Sequence, residues 1–78
     1  MKADVNSLED LMRLKKYTVV KLSEETGISQ DTIRRRLKDH DWRMTEADLI
    51  IEKLKIPSQD VYLYFFKPLL EQNSNEVT

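Results

Sequence analysis

Apolar residues recur along the chain at the three- and four-residue intervals of amphipathic helices, and capping residues stand before most of the runs. Leu8, Leu11 and Met12, with the stem of Lys15, follow Ser7 and Asp10 in a capping-box arrangement and predict a first helix over 8–16. Thr18 can cap a second, Val19–Thr26, in which Val19, Leu22, Ser23 and Thr26 share a face; Gly27 then supplies a left-handed stop. Ser29 offers a cap to a third helix over 30–38. There Asp31 lies in the first turn and Arg34, Arg35, Arg36 and Lys38 toward the end, as the helix dipole favours. Thr45 with Asp48 resembles a second capping box, followed by Ala47, Ile50, Ile51 and Leu54 at i, i+3, i+4 and i+7. Ile56-Pro57 breaks that fourth helix. Ser58 caps a short aromatic fifth over 59–66, and Pro68 should forbid a long continuation.

Between 18 and 38 this pattern is a helix, a tight turn and a helix, the order of a helix-turn-helix. The residue types suit that geometry. Ser23 is small where the second helix must cross closely, Gly27 makes the sharp turn, and Ile28, Ile33 and Leu37 plug the angle. Leu22, Ile33, Ile50, Ile51 and Leu54 are expected in the core. The expected architecture is one all-α domain over residues 1–70 with a flexible polar tail over 71–78, where apolar anchors run out.

Composition narrows the class. A chain of 78 residues that is 40% hydrophobic and 35% charged, with one Gly and two Pro, is too apolar for disorder and too poor in Gly for a turn-rich sandwich. No stretch approaches the ~20 apolar residues of a membrane span, and Met1 to Asp10 is polar and acidic, so a cytoplasmic protein is expected. There is no Cys, the single His40 has no second ligand at metal spacing, and neither a Gly-rich phosphate loop nor an evident carboxylate pair occurs. An enzyme, a metal site and a bound cofactor are therefore not expected. The formal net charge of −1 conceals an uneven distribution: residues 13–43 hold nine Lys and Arg against five acids, while both flanks are acidic.

The run from Thr18 to Ile33, Thr-Val-Val-Lys-Leu-Ser-Glu-Glu-Thr-Gly-Ile-Ser-Gln-Asp-Thr-Ile, resembles without a gap the helix-turn-helix of the Cro/CI-type (Xre-like) phage repressors. The fourth helix resembles that family's as well, so the likeness covers roughly residues 8 to 66. It implies a five-helix lambda-repressor-like DNA-binding domain, acting as a small repressor of a phage or mobile element. By the same resemblance Gln30, Asp31, Arg34 and Arg35 lie where base edges are read: Arg suits guanine, Gln adenine, and Asp a cytosine amino group. Thr18, Ser29, Thr32, Arg36 and Lys38 fall at phosphate-contacting places. The chain departs from the family pattern at Val19, often a phosphate-binding Gln, at acidic Asp31, and in the loop from Asp39 to Trp42, which lacks the usual Asn-Gly turn.

Winding the third helix at 100° per residue brings Ile33 and Leu37 within about 40° of each other, and Asp31, Arg34, Arg35 and Lys38 spread over the far side. Leu49 lies roughly 160° from the core stripe of the fourth helix and should face outward. Val61 to Phe66 are apolar around the whole fifth helix, more than one face can bury. A weak homodimer through Leu49, Tyr62, Phe65 and Phe66, reading a palindromic site with half-sites about 34 Å apart, is the expected assembly. The competing expectation is a protein–protein interaction module, an antirepressor or transcription modulator, which the acidic flanks, Val19 and Asp31 favour. Gly27 is expected to be structural, His40 a surface loop residue, and Trp42 a plug between loop and core.

Overall fold

The computed structural model describes residues 7–74, with side chains as far as Glu71. The elements are α1 (Leu8–Leu14), α2 (Val19–Thr26), α3 (Gln30–Asp39), α4 (Met44–Leu54), α5 (Ser58–Val61), a π-helical turn (Tyr62–Phe66) and α6 (Lys67–Ser74). Tyr62 (φ −58°, ψ −43°) and Lys67 (φ −60°, ψ −46°) keep right-handed helical backbone at both joints, so α5, the π turn and α6 are one rod. The described residues thus form five helical bodies and no strand.

Three helices start as their cap residues foretell. The hydroxyls of Ser7, Thr18 and Ser29 accept the N–H groups of Asp10, Lys21 and Thr32 at 3.1, 3.0 and 3.2 Å. Gly27 (φ 82°) ends α2, its N–H bonded to the Ser23 carbonyl at 2.9 Å. Left-handed residues also follow three other helices: Lys16 (φ 62°) after α1, His40 (φ 61°) after α3 and Lys55 (φ 56°) after α4. After α1 the N–H of Lys16 bonds the Arg13 carbonyl and that of Tyr17 bonds the Met12 carbonyl, a Schellman closure that stops the helix at Leu14, short of the expected 16.

Three further boundaries are corrected. Pro57 stands in the N-cap position of α5, and Ser58, the expected cap, is its first helical residue, with no side-chain cap bond at that end. α4 begins at Met44 with Arg43 in the N-cap position, and Thr45 lies inside the helix. The Glu46 carboxylate reaches back to accept the Arg43 N–H at 3.0 Å, which is half of a capping box and starts the helix earlier. The final rod runs past Pro68 to Ser74, so residues 71–74 of the expected tail are helical and 75–78 lie outside the described residues. In a regular helix the Pro68 ring would meet the carbonyl four residues earlier, that of Tyr64. The π turn just upstream, closed by the Lys67 N–H on the Tyr62 carbonyl, widens the coil where that clash would fall.

Leu22, Ile33, Ile50 and Leu54, one or two from each of α2, α3 and α4, are fully buried at the centre. Leu8, Leu11 and Met12 of α1 and Ile56, Tyr64 and Phe65 complete the same core. Trp42 packs edge-on against Phe65, ring centroids 6.0 Å apart, and so ties the α3–α4 loop to the core as its amphipathic character suggests. Ile51, expected in the core, is half-buried against it.

Candidate nucleic-acid interface

α2 and α3 are joined by three residues, Gly27, Ile28 and Ser29, and each bond in that turn has a local cause. The Thr26 hydroxyl donates to the Leu22 carbonyl at 2.7 Å and accepts the Ile28 N–H at 3.2 Å, so one side chain stitches the end of α2 to the turn. Ser29 then caps α3 while its own hydroxyl donates to Thr32 Oγ1 at 2.9 Å. Ile33 is fully buried and Leu37 packs beside it, which fixes the inner face of α3 and turns the opposite face to solvent.

That outer face holds Asp31, Arg34, Arg35 and Lys38, all exposed. The Asp31 side chain is 99% exposed and that of Arg34 57%. Arg34 Nη2 donates to Gln30 Oε1 at 3.1 Å, and Arg34 Nη1 lies 3.7 Å from Asp31 Oδ1, an ion pair beyond hydrogen-bond length. Among the described residues Arg35 and Lys38 have no ion-pair partner. Three cations against one carboxylate leave this face positive. Thr18, Ser29 and Thr32 lie at helix N-termini, Thr18 and Ser29 exposed and Thr32 half-buried.

Arg36 departs from its expected phosphate-contacting place. Its Nε and Nη2 donate to Glu46 Oε1 and Oε2 at 2.8 and 3.2 Å, and the two side chains are only 11% and 14% exposed. The fork-to-fork pair binds α3 to the first turn of α4, and a guanidinium so engaged is withdrawn from any ligand. The hydrogen bonds from Arg36, joined by the Arg43 N–H, hold the Glu46 carboxyl below its ordinary pKa, while the same pairing raises that of Arg36.

Tyr17 makes contacts that the sequence pattern does not mark. Its hydroxyl donates to Glu25 Oε1 at 2.6 Å and approaches the Lys53 carbonyl at 3.4 Å, while Lys21 Nζ sits 4.6 Å over its ring. Bonding to the Glu25 carboxylate raises the phenol pKa, with lesser contributions from desolvation and the carboxylate's charge. A lone Tyr in a connecting loop carries no periodic signal; only its spacing from Lys21 and Glu25 hints at the contact.

A comparison with family models, with curated proteins and with solved structures finds no match to this chain.

The apolar surface is divided. Phe65, expected at a dimer interface, is 4% exposed and belongs to the core, on the same face of the rod as Val61 and Tyr64. Burial raises the Tyr64 phenol pKa, helped by the charges of Asp60 and Asp10. Tyr62 and Phe66 remain 56% and 44% exposed, and Leu70, one helical turn further, is 53% exposed. Leu49 is half-exposed and does not pack on the core. A shallow apolar groove of about 170 Å³ lies between α4 and the rod, lined by Met44, Ala47, Asp48, Ile51, Val61, Phe65 and Phe66. No group of three or more potential metal ligands occurs among the described residues, and none of their helices is long and apolar enough to cross a membrane.

Proposed function

We propose that this protein is a sequence-specific double-stranded-DNA-binding transcription regulator of the Cro/CI kind, with α2, the turn and α3 acting as a helix-turn-helix and α3 entering the major groove. The observation that carries this reading is the division of α3 into two faces. Ile33 and Leu37 anchor it while Arg34, Arg35 and Lys38 stand clear on the opposite side. Gln30, Asp31, Arg34 and Arg35 are the base-facing set, and Lys38, Thr18, Ser29 and Thr32 the phosphate-facing set; Arg36 belongs to the fold. Hydroxyls at helix N-termini sit beside backbone N–H groups, which favour anionic oxygen.

A single helix-turn-helix reads few base pairs, so the regulator acts as a homodimer on a palindromic site. Tyr62, Phe66 and Leu70 form the exposed stripe that two copies would share. Its modest area makes the dimer weak in the absence of DNA. Selection of bound duplexes from a random pool tests the reading: an enriched inverted repeat supports it, and an unenriched pool overturns it. The α4–rod groove favours a second reading, an interaction module that seats a partner's apolar residues there. That reading expects binding to a protein with no salt-dependent affinity for duplex DNA.

A further inference from the structure

Arginine carries only donors, so the 3.1 Å contact between Arg34 Nη2 and Gln30 fixes the Gln30 amide with Oε1 toward the guanidinium. The NH₂ group, across the planar amide, is the half left for a ligand. A free glutamine matches adenine by donating to N7 and accepting from the N6 amino group. Here the acceptor already holds a hydrogen bond. Its second lone pair could be reached by an adenine amino group only alongside a cation, with donor facing donor. Guanine offers two acceptors on that edge, N7 and O6, and no donor. Asp31, 3.7 Å from Arg34 Nη1, completes the setting: the guanidinium is bracketed from its own helix by residues three and four positions earlier.

Resting on the DNA-binding reading above, we infer that Gln30 and Arg34 act as one donor-rich unit that reads guanine. Gln30 is a positioning residue for Arg34, and adenine is not its ligand, contrary to what the residue type alone suggests. Holding the long guanidinium in place before binding lowers the ordering cost of the contact.

The test is selection from a random duplex pool with the wild-type protein and the Gln30→Ala, Gln30→Glu and Arg34→Ala variants, circular dichroism confirming the fold of each. Wild type should enrich guanine at one position per half-site, with a preference of about tenfold or more. Arg34→Ala should abolish that preference. Gln30→Ala should keep guanine as the preferred base but reduce the preference several-fold, and Gln30→Glu, which retains an acceptor for Arg34 but loses the NH₂ donor, should not restore it. Adenine enriched at a position that Gln30→Ala erases and Arg34→Ala preserves would overturn the inference and leave the DNA-binding reading standing. A pool with no enriched motif would overturn both.

Discussion

Arg34, Arg35 and Arg36 are adjacent in sequence and separated by 100° steps around α3, and that angle gives each a different environment. Arg35 points directly away from Ile33 and Leu37, Arg34 is held along the helix by Gln30, and Arg36 turns toward α4 to meet Glu46. Replacing Arg34 or Arg35 by Ala should cost roughly 1 to 3 kcal/mol of binding to the selected site and leave the melting temperature unchanged. Arg36→Ala should do the reverse, lowering the melting temperature while base preference stays as in the wild type; thermal melts beside binding isotherms separate the two. Gly27 poses a different question. A Cβ there would meet open space, so the cost of Gly27→Ala comes only from φ 82° and should be about 1 kcal/mol by chemical denaturation. The sequence makes Gly27 legible because glycine advertises a left-handed stop. Lys16 and Lys55 adopt the same conformation without any residue-type signal, and His40 with only the weak one that histidine carries.

Among the elements, α2 was readable to the residue because both ends carry cap chemistry, Thr18 before it and Gly27 after it. The start of α4 was not, since Arg43 is no capping residue and the decisive group is a carboxylate reaching backward from Glu46. The same carboxylate takes Arg36 from the phosphate-contacting place that the resemblance implies: Arg36 lies about as far from the core stripe as Arg34 does, on the other side, and periodicity does not say which flank faces a neighbouring helix. The length of the rod beyond Ile56 is hidden from the sequence for a related reason. Pro68 is a reliable breaker of regular helix, and nothing in the pattern announces a π turn that accommodates it. The Arg36–Glu46 link between α3 and α4 carries a pH signature. Because the folded Glu46 carboxyl titrates below its unfolded value, its stabilisation is full above the ordinary carboxylate range and is lost as pH falls through the depressed folded value. Wild type should therefore be more stable than Glu46→Gln near neutrality, and their melting temperatures should converge on acidification below roughly pH 4 to 5. A gap that stays constant through this range would show that the charge of Glu46 is not what binds the two helices.

At the scale of the whole molecule, a small core leaves two kinds of surface to function, the cationic outer face of α3 and the apolar stripe of Tyr62, Phe66 and Leu70. The net charge of −1 concealed the first because acidic flanks cancel it, and the continuous run of apolar residues from Val61 to Phe66 concealed which of them the core would claim. Substituting Phe66→Asp and Tyr62→Asp should leave the monomer folded and abolish two-to-one assembly on a palindromic duplex, as sedimentation across a concentration series would show. Unaltered assembly would move the dimer contact elsewhere. The most direct measurement is the salt dependence of binding to duplex DNA, followed by fluorescence anisotropy from low to physiological ionic strength. If α3 docks on DNA, log K should fall linearly with log salt at about −0.9 per phosphate neutralised, and Lys38→Ala should flatten the slope by about one. Binding that is absent even at low salt, or a slope that Lys38→Ala leaves untouched, would contradict the docking of α3.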